Sequence, residues 1–318
     1  MARPRLSLGP LLLALAALGL SVAPAAAADL AGAYLETGMG SAGLGLGGAF
    51  SAVVQDPTAA YWNPAGLARL RGRSLVVGYL PLSLDRTQAS LAGAANLRGG
   101  LGFAFAWIHA GVDGIQGRTN SGEVFGEIVD AENAAFFALG LSPAPGLRLG
   151  AAAKVLRQSV DVDQIGASTA TGHGLDLGLQ YDLGQRTHLA AGARNLLARL
   201  QWTVARPNSQ TSRSEDPLPV DLYAGAAHQP LPAVTLAAEV HTGNVGTYAG
   251  AGGAWVVNPL LTLRAGLSRI GLDEGAGSLT AGVSLRPMRS DVLELQYAYA
   301  DDPAGDGARL AVGLATRF

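Results

Sequence analysis

The chain has 318 residues, a formal net charge of −2 and no cysteine. These values exclude disulfides, thiolate metal sites and a lipid anchor on cysteine, and they give no electrostatic reason to expect a nucleic acid as partner. Only 14% of residues are charged while 49% are hydrophobic, against about 25% charge in ordinary soluble domains.

Arg3 and Arg5 precede a short apolar core at 11–20, Pro24 and an alanine run at 25–28. This is the layout of a secretory signal, so residues 1–28 are expected to be a signal peptide cut after Ala28. An uncleaved anchor helix is the alternative, but the apolar core is short for one. Beyond it no apolar run reaches the length of a membrane helix.

Residues 29–72 are rich in glycine and alanine and lack sustained alternation. Asp56 and Pro57 read as N-cap and first-turn proline of a short helix through Ala59, Ala60 and Tyr61. Asn63-Pro64 stops it, and 65–70 makes a further turn. The segment is expected to form a compact plug inside or beneath a barrel. Asp56, Asn63, Pro64, Ala65 and Gly66 are its candidate hatch and gating residues. Gly43, Gly45 and Gly48 fit a dinucleotide-type spacing but lack βαβ context; they are expected instead to let the plug backbone pack closely against a wall.

From Ser74 onward, period-two alternation recurs. It marks fourteen segments: 74–84, 88–97, 100–109, 134–142, 146–160, 172–183, 187–196, 220–229, 233–241, 247–257, 260–269, 277–286, 291–300 and 308–318. Each has one apolar and one polar or tiny face, and most have the length of a tilted membrane strand. In 172–183, Leu175, Leu177, Leu179 and Tyr181 oppose Asp176, Gly178, Gln180 and Asp182. Every second connection is tiny, and the longest others are 110–133 and 197–219. Short turns alternating with longer external loops is the outer-membrane pattern. The expected fold is all-β, a transmembrane antiparallel barrel of about 14 strands over 73–318 with a short helical or irregular N-terminal plug. Outer-membrane lipids are its surroundings. Leu177→Arg should harm assembly, and Gln180→Arg should be tolerated better.

Arg148, Lys154, Asp176, Arg194, Glu239, Arg264, Arg286 and Glu294 share the inward phase. They either pair across the lumen and hold its shape or line a translocation path. Ile115, Val124, Phe125 and Ile128, with Leu196, Leu197, Leu200 and Trp202, fall in or at the edge of the two long loops. They could receive a hydrophobic ligand or form a lid. His173 with Asp161, Asp163 and Asp176 raises a rim hydrolase, with loop polarity as the plainer reading. Ser142, Ser268 and Ser284 have no nucleophile context. Asp301, Asp302 and Asp306 do not match a calcium loop. No catalytic residue, metal or cofactor is expected, and the chain reads as a non-enzyme.

The stretch 38–70 reads GMGSAGLGLGGAFSAVVQDPTAAYWNPAGLARL. It resembles the N-terminal signature of the PorV/PorQ family, grouped with the FadL-like long-chain fatty-acid transporters, through Gly47-Gly48-Ala49-Phe50, Asp56, Ala59 and Asn63-Pro64-Ala65-Gly66-Leu67. The likeness continues diffusely through 147–156, 175–181 and 297–302. It implies a fourteen-stranded barrel with an N-terminal hatch. The final strand alternates and ends in Phe318 on the apolar face, which resembles the signal read by the barrel-assembly machinery. Three functions follow: a FadL-like channel for hydrophobic small molecules, a PorV-like secretion component binding a protein substrate, or a barrel enzyme at the His173 rim.

Overall fold

The computed structural model describes residues 31–318 apart from 98, 164, 207–209, 244–245, 272–276, 288–291 and 302–306. The expected signal segment 1–28, and Asp302 and Asp306, lie outside the described residues.

Alternation builds one antiparallel sheet: β1 (Arg73–Pro81), β2 (Thr87–Leu97), β3 (Leu101–Arg118), β4 (Val124–Ala144), β5 (Leu147–Val162), β6 (Gly166–Leu183), β7 (Thr187–Arg206), β8 (Gln210–Pro217), β9 (Asp221–Leu231), β10 (Val234–Gly243), β11 (Gly246–Asn258), β12 (Leu261–Gly271), β13 (Ser278–Leu285), β14 (Leu293–Asp301) and β15 (Ala308–Arg317). The sheet closes on itself, with Ser74 of β1 opposite Arg317 of β15 and β6 paired to β7. The β7 strand pairs along its far half with β8 and along its near half with β9. Thus β8 and β9 form one stave interrupted at 218–220, and the closed barrel has fourteen staves.

The outer face carries exposed Phe103, Phe137, Leu177, Leu236, Leu295 and Val312. The inner face is built largely from buried small residues such as Ala92, Ala104, Ala106, Ala134 and Ala138. A continuous exposed apolar belt on a closed sheet suits hydrocarbon, where every backbone group must be paired within the protein.

The wall is uneven in height. β3, β4, β6 and β7 run 18, 21, 18 and 20 residues, whereas β13 has 8. A tilted membrane strand needs about 9–11, so β3–β8 rise well past the rest at the end opposite the short turns. The expected loops 110–133 and 197–219 are therefore mostly strand. In the first the alternation was hidden because the tip around 113–123 is mostly exposed and needs no apolar phase, and in the second because the positive φ at Asn195 and Leu197 shifts the phase before it resumes at Ala198 and Leu200. Ile115 and Ile128 pair across β3 and β4, and Leu200 is buried with Trp202 packed near it.

β7 is irregular where it matters. Its pairing with β6 shifts register on both sides of Leu175, and Asn195 and Leu197 have φ of 59° and 57°. The bulge turns both Arg194 and Asn195 inward, where strict alternation would send one out.

Residues 31–72 fill the lumen. A 3-10 turn (Ala33–Thr37), α1 (Ser41–Gly45), α2 (Ala59–Trp62) and a second 3-10 turn (Pro64–Arg69) follow one another. Met39, Leu46, Val54, Trp62 and Leu67 form one buried cluster with Ile108, Phe136 and the inner alanines of the wall.

Candidate functional site

The lumen segment sits so close to the wall that wall side chains are missing where it touches. Gly102, Gly140, Gly150 and Gly178 lie side by side on β3 to β6, each directly opposite the next. A Cβ on any of them would strike the stretch 63–68: the Leu67 carbonyl, the Pro64 carbonyl, the Ala65 amide and the Asn63 side chain in turn. On the far wall, Gly250, Gly252 and Gly266 meet the backbone of Leu46 and Gly47 in the same way. Of the three glycines expected to approach the wall, Gly45 meets Gly282 of β13, Gly43 packs on Trp62 within the segment, and a Cβ on Gly48 would meet nothing within 4 Å; Gly47, with φ +70°, is the one that packs against the Ala251 and Leu267 carbonyls.

At the corner between the two helical turns, Asn63 is fully buried. Its Oδ1 accepts from the Ala65 amide at 3.1 Å, and its Nδ2 donates to the carbonyls of Ser51 (3.2 Å) and Leu179 (3.1 Å). The backbone there is extended at φ −165°, which ends α2 before Pro64 starts the next turn. Asp56 accepts two bonds from Thr58. Its role is a bend before α2 rather than a cap on the helix itself. Burial lifts the Asp56 carboxyl above the ordinary range against those two bonds, with Glu294 adding to the lift and Arg264 opposing it.

A chain of buried charge joins plug to wall near mid-lumen. Lys154 lies 2.7 Å from Asp176 and donates to Asn195 at 2.6 Å. Asp176 also accepts from the Asn195 amide at 2.8 Å. Arg194 reaches Asp221 at 3.5 Å and donates to the Trp62 carbonyl at 2.9 Å. Its guanidinium lies 5.2, 5.7 and 4.7 Å from the ring centres of Tyr61, Trp62 and Tyr223. His241 stands between two carboxylates, Nδ1 2.9 Å from Asp221 and Nε2 3.0 Å from Glu239. Glu239 in turn accepts from both the amide and the hydroxyl of Ser51. The ionic groups are hydrogen-bonded and desolvated together, so removing one partner strands the others.

The remaining members of the inward set cluster at the short-turn end. Arg148 pairs with Asp182, which also faces His188 at 2.7 Å. Arg286 donates to Glu294 at 2.9 Å, and Arg264 donates to Ser284 at 2.6 Å. Two adjoining polar cavities open here, of about 200 Å³ beside Asp56, Arg264 and Glu294 and about 670 Å³ beside Arg69, Arg71 and Arg148. On the other side of the plug a cavity of about 60 Å³ lies among Glu36, Tyr61, Trp62, Arg194, Tyr248 and Arg269. Outside the barrel an apolar depression of about 400 Å³ lies over the β6–β7–β9 junction, next to Leu177, Gly192 and Tyr223. Phe318 follows β15 directly, with its side chain exposed and its backbone hydrogen-bonded to Arg73.

The rim-hydrolase grouping does not come together. His173 is exposed on the outer face of β6 whereas Asp176 is buried on the inner one, and Asp163 is engaged by the Glu127 amide. Sequence reasoning missed Asp221, His241, Asn195 and Ser51. His241 shares the phase of Glu239 two residues before it, a signal that was available. Asn195 gave none, because only the bulge turns it inward.

Solved structures share this architecture. The P. putida toluene transporter TodX is 16% identical over 88% of this chain and 99% of its own, with a TM-score of 0.67. The Ralstonia pickettii toluene transporter TbuX is 15% identical over 88% and 98%, with a TM-score of 0.66. A Pseudomonas aeruginosa FadL homologue is 14% identical over 87% and 96%, with a TM-score of 0.55. At these identities the likeness is one of fold. No protein-family model and no curated protein matches the chain.

Proposed function

We propose that the chain is an outer-membrane channel of the FadL-like kind for hydrophobic small molecules, not an enzyme, with residues 29–72 as its hatch. One observation carries this reading: the lumen of a closed, lipid-compatible barrel is filled by its own N-terminal segment, with a ring-walled cavity on one side of that segment and polar cavities on the other. A ligand docks beside Tyr61 and Trp62 and leaves toward the short turns when the corner around Asp56 and Asn63–Gly66 shifts. The lumen-facing charges hold the closed position. The short-turn end faces the periplasm, a signal peptide at 1–28 directs export, and Phe318 marks the last strand for the barrel-assembly machinery.

A second reading is a PorV/PorQ-like secretion component that binds a protein substrate. The signature through Asn63-Pro64-Ala65-Gly66-Leu67 favours it, and the tall β3–β8 wall offers a projecting surface for such a partner. Deleting 38–70 while keeping the N-terminus separates the two. A channel with a hatch should retain a folded, heat-modifiable barrel and gain conductance in planar bilayers. A folded barrel with unchanged conductance would move the secretion reading ahead.

A further inference from the structure

We infer that the lipid-facing side of the tall wall binds the phosphate groups of membrane lipids in a row just above the apolar belt, through Arg157 and Arg199 with His109, Asn133 and His173 beside them. This goes beyond the channel reading and does not depend on what the lumen carries. Only the leaflet, the outer one, rests on the sidedness proposed above.

The outward phase of β3 to β7 fixes the row. Above the short turns that phase is apolar on every one of these strands, as in Phe103, Phe105 and Trp107 of β3 or Leu175, Leu177 and Leu179 of β6. The residue that ends the apolar run is His109 on β3, Asn133 on β4, Arg157 on β5, His173 on β6 and Arg199 on β7. Register joins them across the sheet. His109 faces Asn133, and Asn133 faces Arg157. His173 faces Val155 on one side and Arg199 on the other, one outward position nearer the short turns than Arg157. Barrel strands are tilted, so a level line around the wall has to step in this way.

The charges are sorted by face. None of the five is an acid, while the acids beside Asn133 on β4, Glu132 and Asp130, lie on the inward phase. Across the ring, β13 and β14 reach the same end with Leu279, Tyr299 and Asp301, and Asp301 accepts from the Tyr299 hydroxyl and the Leu279 amide. Arg157 is exposed and has no ion pair or hydrogen bond among the described residues. Arg199 meets Glu215 at 3.1 Å, a pair about half exposed on both sides, and such pairs are weak. Asp161 is outward too, but farther up β5. The row therefore carries basic charge that the protein itself leaves open.

Its place supplies the partner. An arginine at the edge of hydrocarbon lays its stem along the belt and keeps its head at the interface. There the guanidinium fork meets lipid head groups and matches two oxygens of a phosphate. Trp107, stacked on His109 at 5.7 Å, is the kind of ring that membrane interfaces favour. Above the row, exposed Thr171, Gln201 and Thr203 keep the same face polar and uncharged, a hydrogen-bonding surface for the rest of a head group.

The test uses the full-length barrel in detergent, with folding checked by heat-modifiability. Retention of a diphosphorylated glucosamine lipid and of its dephosphorylated form is compared by titration and native mass spectrometry. The proteins are wild type, Arg157→Gln, the double variant Arg157→Gln with Arg199→Gln, and Arg186→Gln. Arg186 is exposed in a short turn, so its loss removes the same charge at the other end of the barrel. Wild type should hold the phosphorylated form more tightly. Arg157→Gln should cut that preference about fivefold and the double variant about 25-fold, from about 1 kcal/mol for each basic residue at an anionic surface. Arg186→Gln should leave it unchanged. Equal retention of the two lipids by wild type, or a loss in Arg186→Gln as large as that in Arg157→Gln, overturns the inference. Inorganic phosphate separates a lipid from a free ion: failure to displace the lipid supports the inference, and displacement at comparable concentration overturns it. Neither conductance nor uptake enters these measurements, so the channel reading can fail without touching them.

Discussion

Ser51 gives both its amide and its hydroxyl hydrogen to one oxygen of Glu239, so a single carboxylate on β10 holds the centre of the lumen segment. The same carboxylate faces His241, which faces Asp221, which faces Arg194, which holds the Trp62 carbonyl. The segment is thus tied at residues 51 and 62 to one continuous run of wall charge.

Glu239→Gln should loosen that tie. Hydrogen bonds to a charged group contribute about 1.5–3 kcal/mol each, and Gln keeps the shape while losing the charge. A cysteine placed at Val53, two residues along and outside both bonds, should react with an impermeant maleimide faster in this background, with the barrel still heat-modifiable. Equal reactivity would mean that the carboxylate is not what fastens the segment.

The glycine row gives a sharper steric test. A methyl at Gly150 collides with backbone at Pro64 and Ala65, while one at Gly93 on the outer face makes ordinary contact with Leu75 at 3.7 Å. Gly150→Ala should expel the segment from its seat and raise conductance, at a cost typical of overpacking, about 1–3 kcal/mol. Gly93→Ala should behave as wild type. Silence from Gly150→Ala in bilayer recordings would argue against a rigid seat.

Asp56 predicts a pH dependence. Its folded pKa is raised by burial, so the fold favours the protonated form. Its contribution is fully present below the ordinary carboxylate value near about 3.9 and is lost as pH rises through the lifted one. Asp56→Asn keeps an acceptor for Thr58 without the charge. It should raise the melting temperature at neutral pH and flatten the dependence on the acid side. A lower melting temperature at pH 7 would show that the ionised form is the one the fold wants.

Leu177 is exposed on the outer face, where an arginine at mid-depth costs about 2–4 kcal/mol. Leu177→Arg should reduce the heat-modifiable species. Gln180→Arg, expected from alternation to be mild, should also be harmful. Gln180 is fully buried and donates to the Ser51 carbonyl at 2.7 Å and the Val54 carbonyl at 3.3 Å. Gln55→Arg, at an exposed lumen position lining the polar cavities, is the tolerant control. Assembly yields that rank Gln180→Arg with Gln55→Arg would contradict this packing.

Sidedness is checked by labelling. A cysteine at Ser121, exposed at the tip of the β3–β4 hairpin, should label on intact cells, and one at Gln185 in a short turn only after the outer membrane is opened. The reverse pattern would invert the barrel.

Most of the wall was legible because lipid on one side enforces a strict phase on residues such as Leu175, Leu177 and Leu179. The Asn63-Pro64 corner was legible from local chemistry alone. The tall hairpins were not, since the tip around 113–123 needs no apolar phase and the positive φ at Asn195 and Leu197 shifts the phase of β7. Nor was the charged run through Asp221 and His241, because partners on neighbouring strands are set by register, which spacing along one strand does not carry. The break at 218–220 hides a strand for the same reason: β8 and β9 belong to one stave only through their common neighbour β7.

The two glycine seats stand far apart in the chain. The first is made by β3 to β6, the second by β11 and β12, and between them lies the same short stretch of residues 46–68. A half-formed sheet that ends at β6 offers only the first. The stretch can satisfy both only once β11 and β12 stand across the lumen from β3 to β6. Seating therefore draws on staves from both halves of the chain at once, and neither half alone offers the whole seat.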